Sequence, residues 1–496
     1  EGHRGSGKSM ILLYLSYPIR QLLGREPEFV GLYIKLDLPL FATTRRRGEN
    51  RDEWMDYFLN YFNLIVAEEL IKMLDECISK QWVRVGNVEK LLDKLMRLFP
   101  ISGGENVETL IDLADLIHEK RSEFAGPPPR PFIRITSDLI KELIERIRRY
   151  VPAWEKKPFY ILLDEYERLD EDQQKVVNLL LASRGPSYRE KIYFKIATKS
   201  FMSTQEDIDG NQIEPGDDFS PVCLDRFDLH EERKHAFYLK FIEDLANWRL
   251  KRIWNYKISI RDLLPVSASS EGDYSGFENI VALSSFLPRD FLELCKDMVF
   301  YAYPNLLIEP KREKLDPLSP NLQNTVIKIH ADNLFESLNR IMDEEERPLP
   351  RTRSQNARRL IESWGKIFKR ILIGSRSKEK RTVSEFQIRD ASKLNIRALN
   401  ALSDCTKTRT LRVPLTKRNP QIRDNIAADR YELHRLLCAR FGLSLARRWP
   451  KEVNAEWLNE LIDSENPEEI IDELTKYFVK DREFPVRGLT LFDYGE

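Results

Sequence analysis

Gly2, Gly5, Gly7, Lys8 and Ser9 stand at the spacing G-x-x-x-x-G-K-[ST] in the opening EGHRGSGKSM, with His3, Arg4 and Ser6 between them. Together these residue types do one kind of chemistry. Backbone N–H groups of a glycine-rich turn surround nucleotide phosphates, the lysine reaches the β- and γ-phosphates, and the serine hydroxyl holds Mg²⁺. A second group closes the run KPFYILLDEYERLD, where Asp164 and Glu165 follow the apolar stretch 159–163. Asp164 is placed to hold Mg²⁺ through water, and Glu165 to polarise the water that attacks the γ-phosphate. Adjacent acids after a strand also occur as a plain solvated strand end, and it is the glycine loop that favours the catalytic reading. A third group, Thr198 and Lys199, ends KIYFKIATKS. It reads either as a pair of phosphate sensors or as an ordinary strand-to-loop transition.

These residues need elements to hold them. A phosphate loop hangs from a strand, and none precedes Gly2, so the natural protein is expected to begin upstream. After the loop, MILLYLSYPIRQLL carries apolar residues on every turn up to Pro18, the pattern of a helix buried against a sheet. EFVGLYIKLDL (29–39) reads as a strand. The unbroken apolar run 159–163 suits a strand buried on both faces of a parallel sheet, and its acids lie at the carboxyl end, where open α/β sheets place their ligands. A helix from about 170 to 184 leads to the third strand, which is expected to lie between the first two. The fold class is therefore α/β, a parallel sheet flanked by helices. Within 50–150, RDEWMDYFLNYFNLIVAEELIKMLDECISKQ sets Trp54, Phe58, Tyr61 and Ile65 on one stripe and Met55, Leu59, Phe62 and Val66 on the next. That width means a helix buried on most sides. NVEKLLDKLMRLF, VETLIDLADLIHEKR and TSDLIKELIERIRRYV add amphipathic helices, with FAGPPPRPF as a rigid loop. This insertion either decorates the core or binds a protein partner.

The 496 residues amount to about three domains on a prior of roughly 150 each, and the 42% that are hydrophobic can build their cores. Cys77, Cys223, Cys295, Cys405 and Cys438 lie far apart with no metal-ligand spacing, which fits a reducing cytoplasm. No apolar run approaches the length that spans a bilayer. The loop EDIDGNQIEPGDD fails the calcium pattern because Gln212 stands where glycine is required, and HEERKH spaces its histidines by five rather than four.

Charged residues make up 32% of the chain and nearly cancel to −1, but not evenly. From Arg347 to Arg423 there are 21 Lys and Arg against five acids, a local net of +16 that leaves −17 elsewhere. Such segregation is a footprint for a polyanion, and duplex DNA is the expected partner. SQNARRLIESWGKIFKRIL reads as a helix, VSEFQIRDAS and KLNIRALNALSDC as a helix pair, TLRVPL as a strand and TKRNPQIR as a basic turn, an order that fits a winged helix-turn-helix. Lys393, Asn395 and Arg397 then open the recognition helix, and Lys417 and Arg418 lie on the wing. Winged helices also serve as protein-interaction pieces.

GHRGSGKS, YILLDE, the polar strand end after KIYFKIA and the later SSFLPRDFLELC (284–295) together resemble the AAA+ and STAND P-loop ATPases, in particular prokaryotic ATPases of the origin-recognition (ORC/CDC6-like) type. The resemblance implies ATP and Mg²⁺ as ligands and an arginine of a helical lid on the phosphates, and Arg289 stands at that place. It also implies an ATPase domain over 1–235, a helical lid over 236–345, a basic winged helix over 350–445 and a helical tail over 446–496. The long insertion and the short loop after Lys199 depart from the pattern and argue against a ring. The implied function is an ATP-hydrolysing switch coupled to DNA. A signalling ATPase acting on a protein effector, as in prokaryotic antiviral defence, and an ATP-binding scaffold without turnover are the alternatives.

Overall fold

The computed structural model describes residues 5–36, 44–46, 50–99, 107–123, 138–181, 191–199, 203–214, 218–220, 222, 224, 232–253, 258–266, 273–304, 315–341, 351–374, 385–413, 430–445 and 451–480. The chain forms two compact units, Glu1–Leu224 and Asp225–Glu496.

In the first unit, α1 (Lys8–Leu15) and α2 (Tyr17–Leu22) replace the single helix expected up to Pro18. Ser16 breaks the run in extended conformation, and Pro18 sits inside the first turn of α2, where its missing N–H costs nothing. Strand β1 (Val30–Lys35) follows. The insertion then supplies α3 (Arg51–Ser79), α4 (Val88–Met96), α5 (Leu110–Glu123) and α6 (Leu139–Tyr150) before β2 (Phe159–Asp164), α7 (Glu171–Leu181) and β3 (Ile192–Ile196). Asn50 and Asn87 start α3 and α4 by accepting the backbone N–H of Asp52 (2.9 Å) and Lys90 (2.7 Å), caps worth about 1 kcal/mol each. FAGPPPRPF lies outside the described residues.

The sheet is parallel in the order β1-β2-β3. The third strand therefore lies beside β2 and not between β1 and β2 as expected; adjacency in a parallel sheet is chosen by packing partners, which strand composition does not encode. Alternation gives the sheet two faces. Val30, Leu32, Ile34, Phe159, Ile161, Leu163 and Ile192 face the insertion helices in one large core. The opposite face carries Gly31, Tyr33, Tyr160 and Leu162, and α1 covers it with Leu12 and Leu15.

The second unit opens with α8 (Glu232–Ile253), α9 (Ile260–Leu263), α10 (Phe277–Leu283), α11 (Pro288–Ala302) and α12 (Pro320–Glu336). It continues through α13 (Arg353–Ile373), β4 (Glu385–Arg389), α14 (Ile396–Lys407), β5 (Leu411–Arg412), β6 (Arg430–Leu433), α15 (Leu437–Phe441), β7 (Lys451–Asn454), α16 (Ala455–Asp463) and α17 (Pro467–Lys480). A second sheet runs β5-β6-β4-β7, with β7 parallel to β4 and the other pairs antiparallel. VSEFQIRDAS, expected as a helix, contains β4 instead. Phe386 and Ile388 alternate inward while Gln387 and Arg389 do not, a period of two that only its partners 430–432 and 451–454 make decisive. The region after 446 contributes β7 as well as helices. Trp364 of α13 stacks on Phe386 with ring centroids 4.1 Å apart, and Phe368, Phe478 and Tyr431 extend the stack.

Where α11 begins, Ser285 (φ 53°) and Phe286 (φ 59°) adopt the left-handed conformation in succession, a strained turn that its surroundings fix. Arg412 donates to the Ser285 carbonyl at 3.0 Å, Tyr238 donates to that of Phe286, and the Arg435 guanidinium lies over the Phe286 ring. Next to this turn, Asp290 pairs with Arg409, and the buried His434 Nε2 lies 3.8 Å from Asp290 Oδ2. Burial opposes ionisation of Asp290, but the His434 ring and the Arg409 guanidinium outweigh it and hold its carboxyl below the ordinary range. Burial pushes the His434 imidazole below its ordinary 6.5, and Arg409 and Arg412 act in the same sense against the pull of Asp290. The unfolded chain therefore takes up a proton at this histidine before the folded chain does. Stability from this site is complete above about pH 6.5 and falls as the pH drops from there toward the depressed value. His434→Asn, which keeps an acceptor for the Leu436 N–H, should flatten the decline of Tm between about pH 7 and 5. An unchanged decline would place the acid sensitivity elsewhere.

Candidate functional site

The loop at the start of α1 has the backbone that anion binding requires. Gly5 (φ 94°) and Gly7 (φ 97°) are both left-handed, and Gly7 caps the helix while its carbonyl accepts the Ile11 N–H at 3.0 Å. No side chain caps α1 and no acid lies in its first turn, so its leading N–H groups keep their partial positive charge. The Ser6 hydroxyl is buried and has no hydrogen-bond partner among the described residues. Gly2, His3 and Arg4 lie outside them.

The direction of α1 brings this loop to the acids. Its last residue, Leu15, presses its carbonyl on Gly31 near the start of β1, whereas Leu12 packs with Leu162 and Ala197 farther along the strands. The helix therefore runs antiparallel to the strands. The start of α1, one turn before Leu12, lies toward the strand ends that carry Asp164, Glu165 and Thr198.

Asp164 is 2% exposed, and both its oxygens are engaged: Oδ2 accepts the Tyr33 hydroxyl at 2.8 Å and Oδ1 the Glu165 N–H at 3.0 Å. Tyr33 lies two pairs before the Lys35–Asp164 register position on the neighbouring strand, on the same face of the sheet. Glu165 turns left-handed (φ 59°), which swings its side chain out of the strand, and Arg168 Nε donates to its Oε2 at 3.1 Å. The turn is locked from behind. The Tyr166 N–H donates to the Ala197 carbonyl, and its hydroxyl donates to Asn178 Oδ1, whose amide in turn holds the carbonyls of Thr204 and Glu206. Thr198 is buried beside this turn, and Lys199 Nζ pairs with Glu167 Oε1 at 3.5 Å. Loop, acids and polar strand end thus converge. Sequence reasoning missed Tyr33, Arg168, Glu167 and Gly31, and of these only Arg168 and Glu167 had a signal, their place one turn after the acids.

The donor set suits a nucleotide. Two left-handed glycines, an uncapped helix start and an unpartnered buried hydroxyl fit phosphate oxygens, and a serine hydroxyl with a nearby carboxylate is the oxygen chemistry Mg²⁺ takes. By contrast, within 206–212 the Asp207 carboxylate is taken up by the loop itself, accepting the N–H groups of Asp209 and Asn211 and the Asn211 amide. The side chains of HEERKH lie outside the described residues.

Arg289 belongs to the second unit. It sits in the first turn of α11 behind Pro288, half exposed, with its Nε 3.2 Å from Glu293 Oε1. Phe291, Leu294 and Cys295 belong to the buried face of α11. In the basic stretch, Asn395 caps α14 by accepting the Ala398 N–H, and its amide donates to Asp463 Oδ2 at 2.8 Å. Arg397 pairs with Asp463 Oδ1 at 3.0 Å, and Lys393 with Asp390 at 3.4 Å. Lys417 and Arg418 lie outside the described residues.

Among the described residues, most bases of the stretch are met by acids within the unit. Arg353 grips the buried Asp404 through two hydrogen bonds. Arg358, Arg389, Arg409, Lys366 and Arg370 pair with acids outside the counted window: Glu336, Glu452, Asp290, Glu468 and Asp472. Counting charge by segment therefore overstates the field the folded surface presents.

Among the described residues no helix is long and apolar enough to cross a membrane. The family description ORC-CDC6-like matches residues 1–273 and 267–452. No curated protein is significantly similar to the chain.

Proposed function

Because the chain belongs to the ORC-CDC6-like family, and so to the nucleotide-binding AAA+ ATPases, we propose that it binds ATP with Mg²⁺ at the Gly5–Ser9 loop, hydrolyses it at Glu165, and couples nucleotide state to duplex DNA. The observation that carries this reading is the antiparallel course of α1, which delivers Lys8 and Ser9 to the end of the sheet that holds Asp164 and Glu165. Loop N–H groups and Lys8 orient the phosphates, Ser9 and Asp164 would hold the metal, and Glu165 takes the proton of the attacking water. Mg²⁺ held there would supply positive charge to offset that of the phosphates. Tyr33 fixes the carboxylate of Asp164, and the strained turn at Glu165 aims its side chain away from the sheet.

For the DNA arm, the order helix α13, strand β4, helix α14 and antiparallel pair β5–β6 supports a winged helix, whose expected wing TKRNPQIR lies outside the described residues. The internal pairing of the basic stretch favours a second reading, a signalling ATPase whose second unit acts on a protein effector. Turnover measured with and without duplex DNA separates the two. Stimulation by DNA supports the coupling, whereas DNA-independent turnover favours the effector reading and absence of turnover a scaffold. Lys8→Ala, the control for the site, should abolish nucleotide binding in every case.

Arg289 is the proposed lid sensor. Arginine is poorly suited to a helix start, where the dipole favours anions, and its contact to Glu293 is an exposed pair of the kind worth about 0–1 kcal/mol. A γ-phosphate can displace such a contact. Arg289→Ala should lower ATP affinity or turnover about tenfold while leaving ADP affinity unchanged; equal effects on both nucleotides would remove the sensor role.

A further inference from the structure

Among the described residues, one contiguous segment supplies four of the five acids that meet the exposed bases of the basic stretch 347–423, Asp390 being the fifth. Glu452 of β7 pairs with Arg389. Asp463, at the end of α16, holds both Asn395 and Arg397. In α17, Glu468 meets Lys366 and Arg370, and Asp472 meets Arg370 at 2.6 Å. Between them, the carbonyls of Ile462 and Ser464 accept from Arg351, and that of Ser464 also from Arg359. From 452 to 472 the segment thus lays negative groups along the cations expected to meet nucleic acid.

These contacts are not what attaches the segment. Leu458, Leu461, Ile462, Ile471, Leu474 and Phe478 are buried and anchor it to α13 and the sheet. The charged side chains on its rim are 38–62% exposed. Exposed pairs of this kind are weak and screened by salt, so they can open while the helices stay docked. Arg353–Asp404, with side chains 14% and 4% exposed, is of the other kind and belongs to the core.

We infer that residues 451–472 are an intramolecular competitor for duplex nucleic acid, occupying with carboxylates the positions on Lys366, Arg370, Arg389 and Arg397 that backbone phosphates would take. This rests on the proposed DNA reading and adds a gate to it: the full chain binds duplex weakly until these carboxylates are displaced. In the free protein the occupied cations gain little from phosphates, because each contact to DNA costs a contact to the segment. Freed, each would add one phosphate contact and its share of counterion release.

The test uses the full chain, nucleotide-free, and a fluorescent duplex of arbitrary sequence, with affinity followed by anisotropy between about 50 and 200 mM salt. The variant Glu452→Gln/Asp463→Asn/Glu468→Gln/Asp472→Asn should bind at least about tenfold tighter at the middle of this range. Its log–log salt slope should steepen by about 0.9 for each freed cation, hence by about two to four. Glu456→Gln/Glu460→Gln/Glu465→Gln/Glu473→Gln is the control. It makes the same change in net charge on the segment and the residue that follows it, at acids for which no base partner is found among the described residues. An equal gain in the control reduces the effect to general charge and overturns the competitor. Parent and test variant binding alike overturns it while leaving the DNA reading in place, and absence of duplex binding by both proteins removes both. If the quadruple variant does not fold, Glu468→Gln/Asp472→Asn should give a partial shift in the same direction, and no shift there is equally decisive against it.

Discussion

Glu165→Gln should keep ATP bound and lower turnover by roughly 10²- to 10⁴-fold, the range general-base catalysis supplies. The amide has the shape of the carboxylate, and its oxygen can still accept from Arg168 Nε, so the left-handed turn at 165 and the Tyr166 anchors behind it are preserved. What the amide lacks is the capacity to take a proton from water. Binding and chemistry therefore separate: equilibrium ATP affinity stays within about twofold of the parent while single-turnover hydrolysis collapses. A variant that hydrolyses ATP at the parent rate would exclude Glu165 as the base and turn attention to Glu167, the next acid along the turn.

Gly31→Ala tests the seating of α1 from the end of the helix opposite the glycine loop. A Cβ at this position would lie 2.2 Å from the Leu15 carbonyl oxygen, 3.1 Å from its carbon and 3.2 Å from Leu162 Cδ1. The first two are backbone atoms of the end of α1, so no side-chain rotation relieves the overlap and the helix itself must rise. Overpacking of this kind costs about 1–3 kcal/mol, several degrees of Tm. More tellingly, α1 carries Lys8 and Ser9 at its other end, so ATP affinity should fall by more than tenfold although the substitution touches no ligand group. Lower Tm with unchanged ATP affinity would show that the loop is held independently of the helix seat.

How far the sequence discloses this molecule depends on how local each determinant is. The glycine loop, the apolar run 159–163 with its two acids, and the four insertion helices are local patterns, and all are found within a few residues of their expected bounds. The β4 strand is not local. EFQIR is a strand because 430–432 and 451–454 flank it, and without those partners its short alternation reads equally well as part of a helix. Register produces the Tyr33–Asp164 hydrogen bond, and nothing near Tyr33 announces it. The +16 of the basic stretch is a true count. Yet Asp290, Glu336, Glu452, Asp463, Glu468 and Asp472 all stand outside the window that was counted, and the fold brings them in.

The hydrogen bond from Tyr33 to Asp164 spans 131 positions. During folding β1 cannot zip onto β2 until the chain between them has closed, and closing so long a loop as free coil is slow and entropically unfavourable. Helices α3 to α6 shorten that loop, because α3 starts soon after β1, α6 ends shortly before β2, and both pack into the same core as the strands. The insertion is then the part whose early local structure sets the pace for the parallel sheet. A nucleotide present while the chain refolds would find its lysine and its acids in one place only after the helical insertion has docked.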